Sequence, residues 1–266
     1  KTTTVEIMEG LLAPTAGKVE VLGQTWTRNS DDLRSRIGVT LQETKLFEKL
    51  SVEETLRLFR TFYDAGRALD VETLMEDMQL TEKRSALVHK LSGGQRQRLA
   101  VALGLIGDPE ILFLDEPTTG LDPQSRRALW DTIAGLKGRG KTVVLTTHYM
   151  DEAERLCDRV GIVDHGKMIA YGTPSDLIHE SGGFHLVEIE TEPPLPPAAF
   201  ADVAGVRTVR AHADGIALAI DEPHVALPAL FARLAERQAR PTRLLSRAAT
   251  LDDVFLTLTG RTLRED

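Results

Sequence analysis

The chain has 266 residues, room for one large domain or for a domain with an appendage. Its 42% hydrophobic and 27% charged residues are those of a globular protein, and a net charge of −8 argues against a general nucleic-acid surface, which needs a basic face. Cys157 is the only cysteine, so an internal disulfide is excluded and a reducing compartment is expected, with the thiol acting as a small buried apolar side chain.

Residues 2–12 carry Val5, Ile7, Met8, Leu11 and Leu12 on one broad face and read as a helix. Pro14-Thr15-Ala16-Gly17 is a turn, after which 18–22 alternates as a strand ending at Gly23. A second strand spans 37–41, with Gln42 at its end. Ser51-Val52-Glu53-Glu54 is a capping box opening a helix with Leu56, Phe59, Phe62 and Tyr63, and another helix is expected from Asp70 to Met78. The segment 48–107 is therefore a mostly helical insertion. Its longest apolar run, 101–106, is far short of the roughly eighteen residues of a membrane span.

Strand 111–115, helix 123–136, strand 142–146, helix 150–157 and strand 160–163 then follow in alternation, which implies a mainly parallel sheet covered on both faces. Asp164-His165-Gly166-Lys167 reads as a hairpin turn. Composition shifts near Ser181-Gly182-Gly183. A strand at 186–190 follows, then a proline-rich stretch at 193–197, a hairpin around Ala213-Asp214-Gly215, a helix with Leu227, Leu230, Phe231 and Leu234, a strand at 242–245 and a last helix from Leu251. Arg233, Arg237, Arg240, Arg243 and Arg247 are expected to lie on a solvated face.

Three motifs carry the chemistry. In Leu91-Ser92-Gly93-Gly94-Gln95 the glycines leave backbone N–H groups bare for an anion at a helix start. About twenty residues on, the apolar run Ile111-Leu112-Phe113-Leu114 ends in Asp115-Glu116, a buried strand delivering acid to its carboxyl edge. Lys1-Thr2, followed by a helix, has the form of the end of a phosphate loop, where a lysine meets phosphates and a hydroxyl meets Mg²⁺. Together they point to nucleotide hydrolysis.

Lys1-Thr2-Thr3, Gln42, Leu91 to Gln95, Asp115-Glu116, Gly120-Leu121-Asp122 and His148 stand in the order of an ABC-transporter nucleotide-binding domain, and the chain resembles that family over about residues 1–178. Thr146 to Glu154 and Leu251-Asp252-Asp253-Val254-Phe255 resemble, more narrowly, bacterial exporters of the daunorubicin-resistance type. The resemblance implies an α/β fold: a P-loop NTPase domain at 1–180 with a mainly parallel sheet and a helical subdomain at about 48–107, plus a small α+β domain at 184–266. It implies ATP and Mg²⁺ as ligands. Lys1 would bind the β- and γ-phosphates, Thr2 the Mg²⁺, and Thr3 would line the phosphate site; Asp115 and Gln42 would complete the metal's surroundings. Glu116 would act as general base and His148 would meet the γ-phosphate and help set the water. Ser92, Gly93, Gly94 and Gln95 would close on ATP held by a second subunit in a head-to-tail homodimer, with Asp122 at the seam.

The implied partners are that second ATPase subunit and separate transmembrane permease subunits, with no nucleic acid, and the implied place is the cytoplasmic face of the cell membrane. The function so implied is the ATPase of a bacterial exporter of a drug-like, lipid or other substrate. A translation-factor or DNA-repair ATPase of the same family, or the ATPase of a nutrient importer, is the alternative. The family's loop glycines and the strand feeding them precede the lysine, so about 35–45 further residues are expected before Lys1, and a chain beginning there is expected to bind ATP poorly.

Overall fold

The structure, a computed structural model, describes residues 1–27, 30–41, 45–64, 66–180, 185–212 and 215–259. By packing, the chain divides into two compact units, Lys1–His148 and Tyr149–Asp266.

The first unit opens with helix α1 (Thr2–Met8), then α2 (Asp31–Arg36) and strand β1 (Ile37–Thr40). The expected 2–12 helix ends early: Leu11 and Leu12 are exposed after a turn, so the apolar residues beyond Met8 have no core to reach. The expected strand at 18–22 does not form either. Val21 instead closes a tight turn with Gln24 through two backbone hydrogen bonds of 2.8 and 2.9 Å, its only bridge among the described residues. Local alternation without a neighbouring strand is insufficient, because a strand exists through its partner.

Helices α3 (Val52–Arg60), α4 (Val71–Asp77) and α5 (Gly93–Leu105) make the stretch after β1 helical, joined by short 3₁₀ turns at Thr81–Lys83 and Val88–Lys90. The capping box at Ser51 forms: its hydroxyl accepts the Glu54 N–H at 3.2 Å, and its own N–H donates to the Glu54 carboxylate at 2.8 Å. Strand β2 (Ile111–Asp115), helix α6 (Pro123–Gly138) and strand β3 (Thr142–Thr146) complete the unit. The three strands form a parallel sheet in the order β1-β2-β3, with Thr40 paired to Leu114 and Asp115 to Thr146.

Both faces of this sheet are covered, and the period of two assigns them. Ile37, Val39, Ile111, Phe113 and Val144 join Val5 of α1 in one cluster. The alternate residues face α5, where the backbones nearly touch: a Cβ on Gly38 would lie 2.0 Å from the Gly104 carbonyl oxygen. Only glycine permits that approach.

The second unit contains helix α7 (Met150–Leu156), a hairpin of β4 (Val160–Asp164) and β5 (Lys167–Gly172), and helix α8 (Pro174–Glu180). β4 pairs antiparallel with β5 in a two-stranded sheet, so among the described residues it does not extend the parallel sheet as the alternation implied. The expected turn is present, with His165 and Gly166 both at positive φ as a tight two-residue hairpin requires. Strands β6 (His185–Glu192), β7 (Val206–His212) and β8 (Gly215–Ile220), helix α9 (Pro223–Glu236), strand β9 (Arg240–Ala248) and helix α10 (Leu251–Thr259) follow. The four strands form an antiparallel sheet ordered β7-β8-β6-β9, and α9 buries Leu230 and Leu234 against Val187, Ile189, Leu218 and Ile220. The turn residues Ala213 and Asp214, like Ser181-Gly182-Gly183, lie outside the described residues.

Packing and composition divide the chain at different places. Leu251 and Val254 of α10 complete a core with Ala153, Ile162, Leu177 and Ile178, against which the half-buried Cys157 packs, so α7 to α8 belong with the chain's end. The expected solvated face of arginines is only partly found: Arg237, Arg240 and Arg243 are exposed, whereas Arg233 and Arg247 are partly buried by their own ion pairs. Arg233 pairs with Asp202 (2.6 Å), Arg240 with Glu192 (2.7 Å), Arg243 with Glu190 (3.2 Å) and Arg247 with Asp253 (2.7 Å).

Glu9 is an anomaly of the first unit. It follows α1, is 5% exposed, and its Oε1 has no hydrogen-bond partner among the described residues. Burial, and then repulsion from Asp115 and Glu6, pushes its carboxyl up from 4.5 to about 7. The folded state thus holds a proton that the unfolded chain releases near 4.5, so stability is lost as pH rises through 7. Glu9→Gln should remove that loss: between about pH 5 and pH 8 the wild type should weaken by ~2 kcal/mol relative to the variant. Urea unfolding at the two pH values measures this; parallel pH dependence in both proteins would sink it.

Candidate functional site

Strand β2 is buried through Leu112, Phe113 and Leu114, and its register with β3 places Asp115 beside Thr146. Asp115 is 6% exposed, and its Oδ1 accepts the Thr146 hydroxyl proton. Glu116 follows in the left-handed region at φ +45°, which turns the chain out of the sheet. Its N–H donates to the carbonyl oxygen of Thr146 at 3.2 Å and to the Thr146 hydroxyl at 3.0 Å. Its Oε2 lies 3.2 Å from Nδ1 of His148 and accepts the Thr119 hydroxyl at 3.1 Å.

Lys1 reaches the same edge. Its Nζ donates to the carbonyl oxygen of Thr147 at 2.8 Å, just beyond the end of β3. The structure therefore brings Lys1, Asp115, Glu116 and His148 to the carboxyl ends of β2 and β3, where an open parallel sheet binds ligands. Thr2 and Thr3 form the exposed first turn of α1 directly after Lys1. Gln42 lies outside the described residues.

Ser92-Gly93-Gly94-Gln95 opens α5. Ser92 is the N-cap: its hydroxyl accepts the Gln95 N–H at 3.3 Å, while the Gln95 side chain accepts the Ser92 N–H at 3.0 Å. Gln95 is thus the third helical residue and closes the cap, while the N–H groups of Gly93 and Gly94, the first two helical residues, have no partner within the helix. Asp122 is the N-cap of α6, accepting from the N–H groups of Gln124 (3.0 Å) and Ser125 (2.9 Å) and from the Ser125 hydroxyl (2.6 Å). The Ser125 hydroxyl and then its N–H hold the Asp122 carboxyl below its ordinary range. The two helix starts adjoin, for a Cβ on Gly94 would lie 2.5 Å from Ser125 Oγ and 2.6 Å from its Cβ.

Three participants were not legible in the sequence. Thr146 and Thr119 each bond a carboxylate of the pair, and the Thr147 carbonyl holds Lys1. A threonine at a strand end carries no signal by itself; the parallel register selects Thr146, and the turn after Glu116 selects Thr119. Gly94 carries a second meaning as well, a packing one, which its place in a glycine pair did not disclose.

Known relatives match the chain along its whole length, and solved structures match about two thirds of it. The family described as ABC transporter matches residues 1–119. A Nod factor export ATP-binding protein I from Burkholderia orbicola is 40% identical over 273 residues, covering 100% of this chain and 86% of that protein. Among solved structures, cbiO1 from Clostridium perfringens, part of the ABC transporter complex cbiONQ, superposes with a TM-score of 0.60 at 26% identity, over 67% of this chain and 74% of that one. An ATP-binding cassette solved as a dimer in a post-hydrolysis state with ADP and Pi gives a TM-score of 0.57 at 26% identity, over 65% and 79% of the two chains.

The contact between helix starts is testable. Gly94→Ala should destabilise the chain by about 1–3 kcal/mol, the cost of overpacking, because Ser125 cannot rotate away without releasing Asp122. A double-mutant cycle in urea with Ser125→Gly should show favourable coupling; strict additivity would place the strain elsewhere.

Proposed function

The chain belongs to the ABC transporter family of ATPases, and on that premise we propose that it is the ATP-binding and ATP-hydrolysing subunit of a bacterial exporter. The observation carrying the proposal is the sheet edge where the buried strand β2 ends in Asp115 and Glu116 with Lys1 and His148 beside them.

Each side chain suits one task. Lys1, a cation at the start of α1, binds the β- and γ-phosphates, and Thr3 lines the same site. Asp115 offers a nearly buried carboxylate with one oxygen taken by the Thr146 hydroxyl. No cluster of three or more His, Cys, Asp or Glu stands ready for a metal among the described residues. That donor set fits Mg²⁺, an ion held by one or two carboxylates and substrate oxygens, with Thr2, Gln42 and Asp115 as its protein neighbours. When bound, Mg²⁺ neutralises phosphate charge. Glu116, with its carboxylate steadied by His148 and the Thr119 hydroxyl, takes the proton of the attacking water. His148 orients that water and the γ-phosphate.

The N–H groups of Gly93 and Gly94, which have no partner within the helix, serve ATP held by a second subunit with Ser92 and Gln95 framing them, and Asp122 lies at the seam of that head-to-tail pair. The dimeric post-hydrolysis cassette supports a paired mechanism, and the membership of cbiO1 in a transporter complex supports separate membrane subunits. The Nod factor export relatives support export over import. The narrower likeness to daunorubicin-resistance exporters extends the reading to drug-like or lipid cargo. Among the described residues no helix is long and apolar enough to cross a membrane. The protein on this reading sits at the cytoplasmic face, held there by its permease.

In the full-length protein Glu116→Gln should bind ATP and accumulate an ATP-bound dimer while turnover falls at least ~100-fold, the scale expected of a lost general base. Phosphate release and size-exclusion chromatography with ATP measure the two effects. Undiminished turnover would remove Glu116 from its role.

A further inference from the structure

Thr146 stands at the meeting point of the two carboxylates. It is the last residue of β3, is 8% exposed, and pairs in register with Asp115. A hydroxyl has one proton to donate and lone pairs to accept with, and both capacities are in use. The proton goes to Asp115 Oδ1, and a lone pair takes the Glu116 N–H at 3.0 Å.

Packing alone does not call for this hydroxyl. A buried strand end is well served by valine, which has nearly the same shape and no polar group to satisfy. What the hydroxyl adds is a link. Its donation fixes the rotation of the Asp115 carboxylate. Its acceptance helps hold Glu116 in the left-handed region, a conformation that costs a β-carbon residue energy and needs outside support. The Glu116 side chain is then aimed at Thr119 and His148.

We propose that Thr146 is a positioning residue, whose single hydroxyl, shared between the Asp115 carboxylate and the Glu116 amide, aligns the metal-facing and water-facing carboxylates with each other. The proposal rests on the roles given to Asp115 and Glu116 above. Thr146 touches neither nucleotide nor water on this reading; it acts through its two neighbours.

The test compares Thr146→Val, Thr146→Ser and Glu116→Gln in the full-length protein, with thermal unfolding as a folding check. Two quantities are read: the affinity for Mn²⁺, by electron paramagnetic resonance in the presence of a non-hydrolysable ATP analogue, and kcat for ATP. Removing an outer hydrogen-bond partner of a ligating group typically costs ~10–100-fold, so Thr146→Val should lose about that much in both. Thr146→Ser should stay within about threefold of wild type in both, since the hydroxyl is retained. Should Thr146→Val melt below the assay temperature, Thr146→Ala gives the same comparison. Wild-type Mn²⁺ affinity in the hydroxyl-free variant, whatever its turnover, overturns the proposal. Failure of the underlying reading looks different: Glu116→Gln would then turn over like wild type. An inactive Glu116→Gln beside an undisturbed Thr146→Val removes Thr146 alone.

Discussion

Strand β2 carries Leu112, Phe113 and Leu114 with almost no exposure and then, without an intervening residue, two carboxylates. Burying each apolar side chain stabilises by roughly 1.5–3 kcal/mol, so the three together outweigh the approximately 1–3 kcal/mol that a left-handed Glu116 costs. The strand is therefore held in depth by its apolar part and cannot retreat to let its acids into solvent. Asp115 stays nearly buried and finds a hydroxyl, while Glu116 leaves the sheet at once and keeps its side chain at the rim. Its neighbours in the first unit serve that strand: α1 covers Phe113, α5 covers the opposite face, and β3 brings Thr146 and His148 level with its end.

A second constraint acts at the starts of α5 and α6. Both helices are capped by their own side chains, Ser92 with Gln95 and Asp122 with Ser125, and both caps lie where the helices almost touch. Capping here does more than end a helix. It commits the Ser92 and Gln95 side chains to each other and leaves the first two helical amides, those of Gly93 and Gly94, without a partner inside the helix. The second unit is built on a different principle, an antiparallel sheet backed by α9 and fringed with arginine–glutamate pairs.

The elements with strong local signals were legible in advance. The Ser51 capping box, the hairpin at His165-Gly166 and the amphipathic helix with Leu230 and Leu234 each contain their own explanation. The readings that failed did so where a partner was needed. Residues 18–22 alternate like a strand, yet among the described residues their one β-bridge is that of Val21 with Gln24; 160–163 reads as the next parallel strand, yet the adjacent segment folds back to pair with it first. A hairpin between neighbours in sequence closes a short loop, whereas joining a parallel sheet requires a long one.

Residue order alone determined the family and the residue types that reach the sheet edge, a lysine at a helix start and two carboxylates after a buried run, because each of these belongs to a local motif. The tertiary structure decided which groups stand at hydrogen-bonding distance. That Thr146 rather than another threonine joins Asp115 to Glu116, that Glu9 is buried with one oxygen unpartnered among the described residues, and that Gly94 makes room for Ser125 all depend on register and close approach between segments far apart in the chain. Those separations are set by packing, and local sequence holds no record of them.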